Sequence, residues 1–221
     1  FEEREAIAGA REQLFDVRRQ RTQPGRDEKV VVAWNGLMLA AFAEAATAFD
    51  SEAYREVAEH NAGFLLRELR ADDGRLRHVW KDGQASVPGF LEDYANLVEG
   101  LLALYQATFE VRWYEAAVEL AEMMVDHFRA ETGFYDTADD AEDLVVRPRE
   151  LQDNAVPSGN AMAATVLQTL GRFSGKLDYE TNAERSLSAL QSYLEEAPLG
   201  FGQWLVAFER ALATPVEVAI V

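Results

Sequence analysis

Apolar residues recur along this chain mainly with the 3.6-residue period of an α-helix, and they define three pairs of helices. The first helices of the pairs are apolar nearly all round and cover residues 35–49, 94–109 and 159–173. The second helices carry a charged face and cover residues 52–69, 112–128 and 179–194. A helix that is apolar all round must be surrounded by protein, whereas a helix with a charged face lies outside. The pattern therefore predicts alternating inner and outer helices.

The helical pair is an internal repeat. Its second helix opens on an aromatic residue, at Tyr54, Trp113 and Tyr179, and these residues lie 59 and 66 residues apart. This spacing is far longer than the 34 residues of a superhelical helix–turn–helix array, so the pattern favours an α/α solenoid or a closed α/α toroid. Further helices are predicted at 1–20 and 201–213, as halves of two more hairpins. We expect residues 1–221 to form one all-α domain.

The links between the pairs are predicted to carry short strands. Residues 75–80 and 84–87 flank an Asp-Gly turn and are typical of a β-hairpin. Residues 133–136 and 144–147 predict a second hairpin with an acidic tip, and residues 216–221 suggest a strand at the end. Each link precedes an inner helix. We therefore expect the links to gather at one end of the toroid.

The inner helices begin with polar clusters, which read WNG at 34–36, GFLEDYA at 89–95 and DNAVPSGN at 153–160. Helix N-termini present unpaired N–H groups, so several converging N-termini would make a pocket for a polar ligand. Carboxylates, amides and aromatic rings together suit a hydroxyl-rich molecule such as a sugar. The predicted acid–base carboxylates are Asp93, Asp153 and, third, Glu92. The predicted substrate-binding residues are Trp34, Asn35, Trp80, Tyr94, Arg147, Ser158 and Asn160.

Several of these residues have an equally simple structural interpretation. Ser158 and Asp93 both have the position and chemistry of helix N-caps. Trp34 is as consistent with a core position as with a sugar-stacking position. His78, two residues before Trp80, is the histidine that we would place at a site, whereas His60 and His127 lie on outer helices.

The amino-acid composition argues against several kinds of chemistry and several classes of partner. The chain has no cysteine, which excludes disulfides, thiol chemistry and Cys-type zinc sites, and its three histidines are too scattered to suggest a metal. We predict no cofactor. A net charge of −18 argues against nucleic acid and anionic membranes as partners, because both require a basic face. Absence of cysteine fits a reducing compartment, so we expect a cytoplasmic protein.

Five motifs in order resemble one known family. They read RDEK at 26–29, WNGLM at 34–38, LEDYA at 91–95, RP at 147–148 and DNAVPSGN at 153–160. The pattern resembles the thioredoxin-domain proteins with a six-hairpin, glycosidase-like barrel, called spermatogenesis-associated proteins in animals. It covers about residues 26–160, with a weaker helical match to Val221. Glu92 stands where the family often has Asp, and Asn154 stands where Gly is common.

The resemblance implies an (α/α)6 barrel related to N-acylglucosamine 2-epimerases and six-hairpin glycosidases. It also implies a thioredoxin-like domain with a redox cysteine pair as a partner in the full-length protein. Because this chain has no cysteine, we expect that domain, and the first part of the barrel, to be absent from it.

Two functions are compatible with these features. The first is a carbohydrate-active domain, a hydrolase or an epimerase. The second is a non-catalytic module that binds a partner for the thioredoxin-like domain. Carboxylates facing an open polar cavity favour the enzyme, whereas a cavity plugged by side chains favours the scaffold. A lipid or isoprenoid role of the same architecture is a more distant alternative.

The acidic composition generates a prediction about salt. With 39 acidic and 21 basic residues, of which three are lysines, the chain is typical of proteins from high-salt cytoplasms. Raising KCl from low to molar concentration should raise the Tm, because salt screens the repulsion among the carboxylates. Thermal unfolding followed by circular dichroism measures this. A Tm that is flat or falls over that range would contradict the halophilic hypothesis.

Overall fold

The structure is a computed structural model that describes residues 2–142 and 145–214. The helices within these residues are α1 Glu2–Arg19, α2 Val32–Ala48, α3 Glu52–Glu68, α4 Leu91–Thr108, α5 Val111–Phe128, α6 Gly159–Ser174, α7 Leu177–Ser188, α8 Gln191–Glu196 and α9 Gly202–Leu212. The strands are β1 Val30–Val31, β2 Arg77–Lys81 and β3 Gln84–Pro88. A 3-10 turn at Pro198–Gly200 precedes α9.

The helices form an inner row and an outer row. The inner row runs α2, α4, α6 and α9, each helix packed on the next, while α3, α5 and α7 pack on α2, α4 and α6 from outside. Helices α4 and α6 are buried on almost every face, and the charged faces of α3, α5 and α7 are exposed. The predicted all-α fold of inner and outer helices is confirmed.

Helix α2 departs from its predicted burial. Trp34 and Met38 are 61% and 51% exposed, and Ala41, one further turn along the same face, is exposed too. The expectation that all three inner helices are enclosed all round is therefore wrong for α2. The reason is that α2 stands first in the inner row of the described residues, so α4 is its one inner neighbour there.

Two glycines set the distance between α2 and α4. A Cβ on Gly36 would lie 2.5 Å from the backbone carbon of Asn96, and a Cβ on Gly100 would lie 2.7 Å from the backbone oxygen of Gly36. Side chains at these positions cannot be accommodated without moving a helix. The two backbones therefore touch directly.

The predicted β-hairpin is confirmed, and a third strand, β1, pairs with it to form a three-stranded sheet. Strand β2 pairs antiparallel with β3, and β1 pairs with β2 through Val30 opposite Trp80 and Val31 opposite Val79. Because β1 leads straight into α2, this small sheet fixes the point at which the first inner helix begins. The two-residue strand was too short for the sequence pattern to show.

The second predicted hairpin is wrong over its described part. Residues 133–136 form no strand, and their backbone instead bonds to neighbouring loops: Tyr135 N donates to Phe128 O, and Asp136 N donates to Pro148 O. Residue 143 of its acidic tip, residue 144 of its other arm, and the strand suggested at 216–221 lie outside the described residues.

The flanking helices agree with the prediction in position. Helix α1 forms, but its apolar face at Ile7, Leu14 and Val17 is more than half exposed. The helix predicted at 179–194 ends at Ser188, and α8 follows from residue 191. Helix α9 is anchored by the buried Trp204, whose Nε1 donates to Leu151 O at 2.7 Å.

Among the described residues no helix has the length and apolar character that crossing a membrane requires.

The close approach of α2 and α4 generates a stability prediction. Gly36→Ala forces a methyl group against the Asn96 backbone and should cost about 1–3 kcal/mol, or about 2–4 °C in Tm per kcal/mol. The matched control is Gly63→Ala on α3, where nothing lies within 4 Å of the new Cβ and the change should be neutral or stabilising. Equal Tm values for the two variants would contradict the packing described here.

Candidate functional site

The N-termini of α2 and α4 are joined by one buried carboxylate. Asp93 has no exposed surface, its Oδ1 accepts from Ala33 N at 3.0 Å, and its Oδ2 accepts from Phe90 N at 2.8 Å. The first bond reaches the start of α2, and the second caps the start of α4. One side chain thus satisfies free N–H groups at two helix starts.

A histidine completes the environment of Asp93. Nδ1 of His78, on β2, lies 2.9 Å from Oδ2 and 3.1 Å from Oδ1 of Asp93. The His78 side chain is 23% exposed. Its hydrogen bond with Asp93 raises the pKa of His78, and burial opposes that shift. The pair connects the small sheet to the inner helices.

Asp153 plays a similar part at the third inner helix. Its Oδ1 accepts from Ser158 N at 2.8 Å, and its Oδ2 accepts from Gln203 N at 2.7 Å, so it ties the loop before α6 to the start of α9. Ser158 is the N-cap of α6, because its Oγ accepts from Ala161 N. Asn160 accepts from Phe134 N and donates to Glu150 O, which holds two loops together.

The remaining predicted residues also bond mainly to the protein itself. Asn35 donates to Val31 O, the buried Tyr94 hydroxyl accepts from Leu76 N, and Trp80 packs edge-on against Phe64. The Arg147 guanidinium lies 4.0 Å from the ring centroid of Tyr135 and donates to Thr137 O.

A cavity of about 320 Å³ lies where α4 and α6 begin, and we call it the N-terminal cavity. It is lined by Phe90, Glu92, Asp136, Glu150, Gln152, Asn154, Val156, Pro157, Ser158 and Gly159. Of the predicted site residues, Glu92 and Ser158 line it. Six residues were expected to converge on one cavity, and none of them lines this one, so the expectation is wrong for this cavity. They are Trp34, Asn35, Asp93, Tyr94, Asp153 and Asn160. The physical reason is that their polar groups are mostly taken up by backbone partners at helix starts and loops.

Three carboxyl groups share the N-terminal cavity: Glu92, Asp136 and Glu150. Burial raises the pKa of Glu92, and the charges of Asp93 and Asp136 raise it further, while His78 opposes them. Burial also raises the pKa of Asp136, against the hydrogen bond from Glu150 N. Carboxyl groups that hold their protons more tightly than usual in a cleft are typical of acid–base sites.

Sequence reasoning missed Asp136 and Glu150. Asp136 lies in the first arm of the predicted second hairpin, and Glu150 lies between that hairpin and α6. The one available signal was that an acidic link precedes an inner helix, and it did not single out these two positions. Their proximity to Glu92 depends on contacts between the loops that carry them and the start of α4, for example the bond from Leu91 N to Asp136 O.

A larger cavity of about 670 Å³ lies among the C-terminal halves of the inner helices. It includes Glu99, whose pKa is raised by burial and lowered by the charge of Arg210. We place the candidate site at the N-terminal cavity nonetheless. Its smaller volume holds three carboxyls, and the starts of α4 and α6 with their polar sequence clusters adjoin it.

One group of described residues has the spacing of metal ligands: His127, Asp139 and Asp140. However, the Arg75 guanidinium already lies within this group, 2.6 Å from Asp140 Oδ2 and 3.0 Å from His127 Nδ1. Its positive charge compensates the carboxylates. We therefore assign no metal site to these residues.

Comparison with solved structures assigns the fold to a class. The structure resembles an alpha-mannanase from Bacteroides thetaiotaomicron, with a TM-score of 0.68, 13% identity, and coverage of 86% of this chain and 54% of that one. It also resembles a cellobiose 2-epimerase from Spirochaeta thermophila, with a TM-score of 0.62, 18% identity, and coverage of 75% and 44%. At these identities the likeness shows the fold alone. The chain is an incomplete (α/α)6 barrel of the six-hairpin glycosidase type.

Sequence comparison identifies the family. The chain is 32% identical over 221 residues to spermatogenesis-associated protein 20 of Rattus norvegicus, and the match covers 95% of this chain. The chain therefore belongs to the spermatogenesis-associated protein family, of which it represents a barrel portion. It spans about 28% of the length of that relative. No family model matches the chain.

The bonds of Asp93 generate a prediction. In Asp93→Asn an amide NH₂ group replaces one of the two acceptor oxygens of the carboxylate. This NH₂ group must then face the backbone N–H group of Ala33 or of Phe90, which loses its acceptor. The free energy of unfolding should fall by about 1–3 kcal/mol. Asp178→Asn, at an exposed position in the first turn of α7, is the matched control and should change stability little. Chemical denaturation measures both. If the Asp93 variant were as stable as the control, Asp93 would be no more than an ordinary N-cap.

Proposed function

We propose that this chain forms part of a carbohydrate-active site, in which a sugar occupies the N-terminal cavity and exchanges protons with Glu92. The observation that carries the proposal is the set of three carboxyls around an open cavity, with the pKa of Glu92 and of Asp136 raised by burial. The structural neighbours, an alpha-mannanase and a cellobiose 2-epimerase, support the choice of ligand class.

The other lining residues suit a sugar. Gln152 and Asn154 offer amide groups that can donate to and accept from sugar hydroxyls. Phe90 and Pro157 provide apolar surface for the C–H face of a pyranose ring. A volume of about 320 Å³ is in the range of small-molecule sites.

Asp93 and Asp153, which the sequence suggested as acid–base groups, act in this proposal as positioning residues. Each holds two helix starts in place through backbone N–H groups, and neither lines the cavity. Glu92 takes the proton-exchanging role. A thioredoxin-like partner domain in the full-length protein is a proposal that rests on the family resemblance. A cytoplasmic location is a proposal that rests on the absence of cysteine.

The scaffold alternative is less well supported. It predicted that side chains would plug the cavity, whereas the N-terminal cavity is open and has three carboxyl groups in its lining. A sugar-binding function is therefore the better explanation of its three carboxyls.

The proposal is tested by Glu92→Gln, which removes the titrating group and keeps the shape. Cellobiose and an α-linked mannobiose are the probes, with binding followed by calorimetry and hydrolysis or epimerisation followed by NMR. Turnover should fall by about 10²–10⁴-fold. The control is Glu184→Gln on the exposed side of α7, which should leave turnover unchanged.

Stability separates a functional effect from misfolding. Because the folded pKa of Glu92 is raised, its ionisation weakens folding as the pH rises above the ordinary value for a glutamate. Glu92→Gln should therefore be at least as stable as the parent protein at pH 7. If neither disaccharide binds to or is converted by the parent protein, or if the Gln variant converts them at the same rate, the proposal is wrong.

A further inference from the structure

His78 is positioned by bonds that leave one ring nitrogen free. Nδ1 faces both oxygens of Asp93, and among the described residues no protein group bonds to Nε2. A neutral ring in this arrangement carries its proton on Nδ1 and presents the Nε2 lone pair, and a charged ring presents an Nε2–H donor. The side chain is 23% exposed, so part of the ring is accessible from outside.

The orientation of the ring is fixed from two directions. Asp93 cannot rotate, because its oxygens also accept from Ala33 N and Phe90 N and it is completely buried. The Phe90 ring packs edge-on against His78, with centroids 5.0 Å apart. Phe90 is itself part of the wall of the N-terminal cavity. The imidazole is thus held in one pose and packs against Phe90, a residue of the cavity wall.

His78 and Glu92 also influence each other electrostatically. The charged groups that act on His78 are Asp93 and Glu92 of α4, and both favour its protonated form. His78 in turn lowers the pKa of Glu92, against burial and the neighbouring carboxylates. Each group therefore favours the charged form of the other.

We propose that His78 is the second proton-exchanging group of the site, with Asp93 as its positioning residue. This inference rests on the proposed function and names the substrate class as a glycoside. His78 Nε2–H donates its proton to the bridging oxygen as the glycosidic C–O bond breaks. The Glu92 carboxylate takes a proton from the water whose oxygen forms the new C–O bond. The site ends with a neutral imidazole and a carboxylic acid, which return to their starting states by exchange with solvent.

The first test observes His78 directly by NMR, which is simple because the chain has three histidines. The pKa of His78 should lie above the ordinary value for a histidine, and the neutral ring should carry its proton on Nδ1. Adding cellobiose or the α-linked mannobiose should shift the His78 signals and leave those of His60 unchanged. If neither disaccharide moves the His78 signals, the inference is overturned.

The second test uses turnover of the same disaccharides. His78→Gln should lower the rate by about 10²–10⁴-fold, whereas the matched control His127→Gln should not. His127 also contacts an aspartate at 2.9 Å, but it lies on α5 and its partner is Asp139 rather than Asp93. A comparable loss in both variants would point to folding rather than chemistry and would contradict the inference.

The pH profile distinguishes proton donation from a structural role. If His78 is the proton donor, activity is present below its folded pKa and is lost as the pH rises through it. Asp93→Asn should move this alkaline limb to lower pH, because it removes the charge that raises the pKa of His78. A limb that stays in place would overturn the assignment.

The two proposals fail in different ways. If Glu92→Gln abolishes turnover and His78→Gln does not, the sugar site stands and the role of His78 is wrong. If both variants keep the parent rate, the proposed function itself is wrong.

Discussion

The hydrogen bonds of the buried Asp93 carboxylate are the interactions on which this end of the molecule depends. It accepts backbone N–H groups from the start of α2 and from the start of α4, and it contacts His78 on β2. A buried charge is stable only when it is paired and hydrogen-bonded. Because Asp93 meets that requirement with three different elements, the position of each element is fixed relative to the others.

Close helix packing provides the second constraint. Gly36 and Gly100 bring the backbones of α2 and α4 into contact, and a Cβ on Gly159 would lie 3.0 Å from the backbone nitrogen of Glu92. The starts of α4 and α6 are therefore adjacent. The N-terminal cavity lies at this junction, where the loop that carries Asp136 closes over it.

The properties of Glu92 follow from its place beside this junction. Asp93, the next residue, is turned inward and fully bonded, so Glu92 points to the cavity wall and experiences both partial burial and the charge of its neighbours. The same acidic dipeptide thus supplies one structural carboxylate and one candidate functional carboxylate. His78 is shared between them, bonded to the first and electrostatically coupled to the second.

The sequence by itself determined the helices, their pairing and their inner or outer position, because 3.6-residue periodicity reports directly which face is buried. It also located the polar clusters at the starts of the inner helices and the hairpin at β2 and β3. Only the tertiary structure decided the direction of each polar side chain. The carboxylates of Asp93 and Asp153 accept hydrogen bonds from backbone N–H groups, whereas Glu92 lines a cavity together with Asp136 and Glu150. That outcome depends on contacts between residues distant along the chain, which local periodicity does not encode.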